Sequence, residues 1–140
     1  MKNLLVETAN WATDKDPLIE LRRLVFIEEQ NVPESLEIDG LDPDCLHAKA
    51  TADGLTVGTG RLLPDGHIGR MCVHPDYRQR GIGTLLLKNL VDQALSAGYS
   101  PIGLNAQCDA IAFYEKNQFV IDSAVFMDAG IPHKRMIYKT

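Results

Sequence analysis

Ile68-Gly69-Arg70-Met71-Cys72-Val73-His74-Pro75-Asp76-Tyr77-Arg78-Gln79-Arg80-Gly81-Ile82-Gly83-Thr84-Leu85-Leu86-Leu87 divides into four parts. The first six residues read as an apolar strand, His74 to Tyr77 as a turn, Arg78 to Gly83 as a basic glycine loop, and a helix opens at Thr84. A strand that feeds a glycine-rich turn into a helix leaves several main-chain N–H groups unpaired and converging, with the helix dipole behind them. That geometry binds phosphate or pyrophosphate. Arg78 and Arg80 add charge, and Gly81 and Gly83 remove side chains that would hold backbone and phosphate apart. No Gly-Lys-Ser/Thr follows Gly83, so this is not a Walker loop. Leu86 stands where a dinucleotide fingerprint needs its third glycine. What remains is R-x-x-G-x-G on Arg78, Gly81 and Gly83, whose plainer reading is an ordinary strand-to-helix turn.

Bulk properties narrow the partners. A chain of 140 residues holds one domain with a single sizeable core, expected over residues 1–140. A formal net charge of -5 disfavours nucleic acid and anionic membranes, so the arginines near the loop act locally. Cys45, Cys72 and Cys108 are odd in number and widely spaced, which suggests neither a disulfide framework nor a zinc site. Free thiols fit a reducing compartment, and Met1 to Glu7 lacks the apolar run of a signal peptide, so a cytoplasmic protein is expected. His47, His67, His74 and His133 lack metal-ligand spacing, and no metal is expected.

Around the central segment the chain alternates strands and helices. Leu4 to Thr8 is a short strand, and Asp16-Pro17 predicts an N-cap and first turn for a helix running to Gln30. Leu18, Leu21, Leu24, Val25 and Ile27 form its apolar face. Glu34, Glu37, Asp39, Asp42 and Asp44 follow as an acidic segment, either a solvated loop or a mouth whose field draws a cationic amine. Leu46 to Thr51 and Leu55 to Leu63 are strands joined through Asp53-Gly54, and Pro64-Asp65-Gly66 turns into the central strand. Gly58, Gly60 and Gly69 within strands suggest bulges or close backbone approach. The helix from Gly81 carries Ile82, Leu86, Leu90, Ala94 and Ala97 on one stripe and ends at Gly98. Ile102 to Ala106 is then a strand reached by a helical crossover, hence parallel to the central one. Asp109 to Asn117 is a helix. Phe119 to Phe126 and Lys134 to Tyr138 are the last strands, and Ala129 to His133 is the loop between them.

With the loop in place, this order resembles the GCN5-related N-acetyltransferases (GNAT), whose acyl-CoA signature is Q/R-x-x-G-x-G/A. The likeness covers nearly the whole chain. Asn105-Ala106-Gln107, followed by Ala110-x-x-Phe113-Tyr114-x-x-x-x-Phe119, looks like the family's next motif, with Gln118 where many members have glycine. Val25 to Pro33, Glu37-Ile38-Asp39 and Gly130-Ile131-Pro132-His133 look like a branch of small single-domain bacterial members commonly labelled acetyltransferases without a defined acceptor. The resemblance implies a mixed, mostly antiparallel sheet splayed between two parallel central strands, with helices on both faces.

It also implies acetyl-CoA as co-substrate and transfer of its acetyl group to a primary amine by direct attack in a ternary complex. The pyrophosphate is then expected on the amides of Gln79, Arg80, Gly81, Ile82, Gly83 and Thr84, beside Arg78. The pantetheine arm is expected to add like a strand against Met71 and Val73, within reach of Asn105 and beside Phe113. The amide of Cys72 is the expected donor to the thioester oxyanion. Tyr114 is the expected general acid, since a phenol of pKa about 10 stays protonated at neutral pH and can donate to a thiolate whose thiol pKa is about 8.5. Glu29 is the leading base, with Glu28 and Asp39 behind it. A non-catalytic CoA-binding module and a protein-interaction domain stay open as alternatives, and exposed sheet edges near the C-terminus suggest a homodimer.

Overall fold

The structure, a computed structural model, describes residues 3–139. Its elements are β1 (Leu4–Ala9), α1 (Trp11–Arg22), α2 (Glu34–Glu37), β2 (Leu46–Ala52), β3 (Leu55–Leu62), β4 (His67–Val73), α3 (Ile82–Ala97), β5 (Gly103–Gln107), α4 (Ile111–Lys116), β6 (Phe119–Ile121), β7 (Phe126–Asp128) and β8 (Ile131–Tyr138). The strands join one sheet in the order β1-β2-β3-β4-β5-β8-β6, with β7 also paired to β8. All neighbours are antiparallel except β4 and β5, which are parallel and joined through α3. The expected mixed sheet with two parallel central strands is therefore present. The central pair meets only at His67–Gly103 and Ile68–Leu104, so the two strands part after Ile68, five residues before β4 ends at Val73.

The cause lies in β4 itself. Between the pairs Thr59–Cys72 and Arg61–Gly69, Gly60 alone faces two residues, Arg70 and Met71. The extra residue is Arg70, held at φ 51. Such a bulge bends its strand and strengthens the local twist. Gly60 is needed opposite it, because a β-carbon there would come 2.7 Å from Leu90 Cδ1 and 3.0 Å from Met71 Cγ.

Packing follows the predicted stripe of α3. Ile82, Leu86, Leu87, Leu90 and Ala94 are buried against the sheet, whereas Ala97 is exposed. Phe113 and Tyr114 of α4 pack onto the same cluster. Leu21 and Val25 of the first helix form a second cluster with Cys72.

Three boundaries differ from expectation. The first helix begins at Trp11, where Asn10 caps it by accepting from the Ala12 N–H at 3.0 Å, so Pro17 lies inside the helix. Arg23–Glu29 continues it as a π-helical segment. The expected strand from Phe119 to Phe126 is two strands, β6 and β7, on the same side of β8. Between them the Ser123 hydroxyl takes the place of a strand acceptor, receiving the Arg135 N–H at 2.8 Å. Ala129 and Gly130, at φ 52 and 77, make a two-residue hairpin, so β8 starts at Ile131 rather than Lys134. Val120, Ile121 and Met127 are exposed along this outer edge, the surface on which the dimer expectation rests. No helix among the described residues is long and apolar enough to cross a membrane.

Gly66 ties the roots of the central pair together. Its carbonyl accepts the Gly103 N–H at 3.1 Å, its φ is +91, and a β-carbon would lie 2.1 Å from the Pro101 carbonyl oxygen. Gly66→Ala is expected to cost roughly 2–4 kcal/mol, from left-handed strain plus a backbone clash. Gly54→Ala, at φ +83 with nothing within 4 Å, should lose only about 1 kcal/mol. Urea unfolding midpoints of the two variants check the difference.

Candidate active site

The glycine loop ends in a bare helix terminus. Gly81 caps α3 at φ 82 with no side-chain hydrogen bond, and Gln79 just before it is also left-handed at φ 64. The first hydrogen bond of the helix runs from the Leu85 N–H to the Gly81 carbonyl at 3.2 Å. The N–H groups of Ile82, Gly83 and Thr84 thus remain free, as the first turn of a helix requires when nothing caps it. They open onto a hollow of about 370 Å³ shared with Val73, Tyr77, Arg78 and Phe113. The Phe113 ring lies over Gly83, 3.7 Å from where its β-carbon would be.

The two loop arginines do different things. Arg80 lays its guanidinium over the Tyr77 ring at 5.5 Å. Arg78 donates to both carboxylate oxygens of Glu29, at 2.7 and 2.6 Å, and its Nε donates to the Val73 carbonyl at 3.0 Å. Its charge is committed within the protein, and it fastens the loop to the π-helical segment and to β4. Glu29, expected as the base, does not line the cleft described next. The Arg78 guanidinium holds its carboxyl below the usual carboxylate range, which opposes proton uptake.

Where β4 and β5 part, a cleft of about 410 Å³ opens. The first helix and α2 wall it with Phe26, Gln30, Val32, Leu36 and Glu37; β4 with Arg70 and Met71; β5 with Asn105 and Gln107; α4 with Tyr114; and the β7–β8 hairpin with Asp128 and His133. Which main-chain groups face this gap follows from the antiparallel ladder. The His74 N–H donates to the Val57 carbonyl at 2.8 Å, and opposed pairs alternate between bonded and open. Two residues on, Cys72 and Thr59 are again a bonded pair, so the Cys72 amide points at β3 rather than at the gap. This corrects the expected oxyanion donor: Met71 and Val73 turn their main-chain groups away from β3. The Cys72 thiol is buried, and that burial pushes its pKa up to about 12.

Tyr114 lies on the α4 wall, edge-on to Phe113 and Phe119 with centroids 5.1 and 6.1 Å away. Burial raises its pKa above that of an ordinary phenol. Two histidines of the cleft were not expected there. His133 is buried, and its Nδ1 lies 2.7 Å from the Ile131 carbonyl. A carbonyl only accepts, so Nδ1 carries the hydrogen, and in the neutral tautomer Nε2 is the acceptor. His67, at the root of β4, has its pKa lowered by burial.

The acidic segment is neutralised from within. Arg22, buried in the first helix, bonds Glu37 at 2.6 Å and Asp42 at 2.8 Å. Arg61 of β3 bonds Asp39 at 2.5 Å and Asp42 at 3.2 Å, and Arg70 lies 3.3 Å from Asp39 and 3.7 Å from Glu37. Glu34 is paired with Arg23 at 3.0 Å. Of the five carboxylates expected to draw a cation, only Asp44 has no ion pair among the described residues.

A sheet parted beside an uncapped, glycine-led helix terminus, with a tyrosine across the gap, defines an acyl-CoA N-acyltransferase fold. Residues 18–140 match the family model "Acetyltransferase (GNAT) domain", and the chain belongs to that family of acyltransferase enzymes. It is 39% identical over 121 residues to an uncharacterized N-acetyltransferase, YjcF, of Bacillus subtilis, covering 84% of this chain and 86% of the relative. An acyl-CoA N-acyltransferase from Pseudomonas aeruginosa superposes with a TM-score of 0.87 at 30% identity, over 97% of this chain and 99% of that one. A GNAT acetyltransferase from Elizabethkingia anophelis, solved with acetyl-CoA bound, shares the fold at a TM-score of 0.70 and 18% identity, over 98% and 96% of the two chains.

Because Arg61 and its neighbours hold Asp39 and Asp42 below the ordinary carboxylate range, their contribution to stability has a definite sign. It is complete above a pH of about 4 and is lost as pH falls further through the folded values. Urea midpoints measured from about pH 6 to about pH 3 should therefore fall, and Asp39→Asn should flatten that fall.

Proposed function

We propose that this cleft transfers the acetyl group of acetyl-CoA to a primary amine by direct attack. The observation that carries the reading is a pair of openings strung along β4, one lined by Met71 and the other by Val73. At one end stand the free N–H groups of Ile82, Gly83 and Thr84; at the other, Tyr114; between them, the unpaired inner edge of β4. The pyrophosphate sits on the main chain from Gln79 to Thr84, with Arg80 beside it. The pantetheine arm lies along Val73 and Met71, near Asn105 and Phe113. Its thioester carbonyl then reaches the Met71 amide, which takes the role first given to Cys72.

The amine nitrogen attacks the thioester carbon, and charge develops on its oxygen, where the Met71 N–H stabilises it. The C–N bond forms, the C–S bond breaks, and the departing thiolate takes the Tyr114 phenolic proton. The attacking nitrogen must lose a proton, and a free alkylamine with a pKa near 10.4 is mostly protonated in neutral solution. The Nδ1 contact makes Nε2 the acceptor of the neutral His133 ring, and that nitrogen accepts the proton. It takes the place of Glu29, which lies outside the cleft and is occupied by Arg78.

A protein that only binds CoA needs no acid across the gap, so Tyr114 separates the readings. Tyr114→Phe is expected to lower kcat in a thiol-release assay with acetyl-CoA over an amine panel by about 100-fold or more. Calorimetry should show CoA affinity within about twofold of the parent, since only chemistry is lost. Unchanged turnover would remove the acid from the scheme.

A further inference from the structure

We infer that the amine accepted in this cleft carries a carboxylate, held by the free Nη1 end of Arg70. The inference rests on the acetyl-transfer reading above and names its substrate class.

Arg70 is placed by strain and then immobilised. It is the inserted residue of the β4 bulge, at φ 51, a conformation that a β-carbon disfavours and that turns the side chain out of the regular strand alternation. Nη2 donates to the carbonyls of Leu36 at 3.0 Å and Glu37 at 3.1 Å and lies 3.3 Å from Asp39. Nη1 makes none of these bonds, Nε is buried without a partner, and the side chain, 26% exposed, lines the cleft. Nη2 is thus fixed to α2 and Asp39, and Nη1 is the end of the guanidinium left for the acceptor.

Its charge is also the least compensated in the network. Arg22 and Arg61 take the short contacts to Glu37, Asp42 and Asp39, at 2.5 to 2.8 Å. Arg70 shares two of the same carboxylates at 3.3 and 3.7 Å. Burial and the neighbouring Arg61 and Arg22 press its pKa down, which is the condition of a cation short of an anion. An unbonded guanidinium nitrogen donates a charge-assisted hydrogen bond to a carboxylate oxygen. Phe26, Val32, Leu36 and Met71 supply an apolar wall alongside, and Leu36 is 58% exposed. An amino acid with an apolar side chain fits both features.

Product-like probes test this without turnover. CoA is first titrated into the protein, and no heat at that stage would count against the acetyl-transfer reading itself. The CoA-loaded protein is then titrated with N-acetylleucine and with N-isopentylacetamide, which keeps the apolar body and lacks the carboxylate. N-acetylleucine should bind about 10- to 100-fold more tightly, the value of a charged hydrogen-bonded contact. Arg70→Gln should erase that preference, and Arg70→Lys should keep only part of it. Arg23→Gln, which removes an exposed guanidinium paired with Glu34, should leave it intact. Equal affinities in the parent protein, binding of neither probe once CoA is seated, or a preference that survives Arg70→Gln would each overturn the assignment.

Discussion

Gly60 facing both Arg70 and Met71 is the local constraint on which the rest of the molecule turns. Inserting one residue into β4 bends that strand away from β5 after a single short stretch of parallel pairing. Ordinarily an unpaired inner strand would be costly, because its N–H and C=O groups lose both sheet and solvent. Here the strand opens onto a cleft, where solvent can reach those groups. The bulge also requires room on the helix side of the sheet. Gly58 and Gly60 provide it: a β-carbon at Gly58 would meet Leu86 at 2.8 Å, and one at Gly60 would meet Leu90 at 2.7 Å. The close seating of α3 and the opening of the sheet are two consequences of the same pair of glycines.

The cleft's other wall is held by charge. α2 is four residues long, too short to persist by its own hydrogen bonds. Arg22, Arg61 and Arg70 reach it and the turn at Asp42–Asp44 from the first helix, β3 and β4. Buried ion pairs are rarely more stabilising than apolar packing of equal volume, yet removing one partner leaves an uncompensated charge. Such a network therefore fixes a position more than it adds stability. A wall of this kind suits a segment that must hold Leu36 and Glu37 against the cleft with little apolar contact of its own, since Leu36 is largely exposed.

Much of this was legible because it is local. The glycine loop, the buried stripe of α3, the cap at Gly98 and the crossover into β5 are written in neighbouring residues, and the GNAT signature sits on them. The departure at Gln118 also becomes intelligible: its φ is 72, a value that glycine adopts without strain, which suits the glycine common at that place in the family. What was not legible depends on partners distant in sequence. Arg61 and Asp39 are 22 residues apart, and Arg78 and Glu29 are 49 apart, so neither reading of the acidic run, solvated loop or cation-drawing mouth, nor that of Glu29 as a base, foresees these ion pairs. The bulge escaped because its left-handed residue is an arginine, not a glycine. The Cys72 amide was misdirected for a different reason. Strand phase is set by which opposed pair is bonded, and a one-residue error in phase reverses every main-chain group.

The cysteines bear on how the acyl group travels. A covalent relay needs a thiolate beside the thioester. Cys72 stands closest to the gap along the chain, but its side chain packs with Leu21 and Val25 on the first-helix side, and burial lifts its pKa to about 12. Cys45 is buried, its pKa is likewise raised by burial, and its thiol donates to the Leu41 carbonyl at 3.2 Å. Neither Cys45, Cys72 nor Cys108 lines the cleft, and only the last is partly exposed. With none of these three sulfurs lining the cleft, the geometry favours the proposed direct attack over a relay through cysteine. Under the proposed scheme the proton acceptor and donor therefore fall to two other residues of the cleft, His133 and Tyr114, rather than to any cysteine.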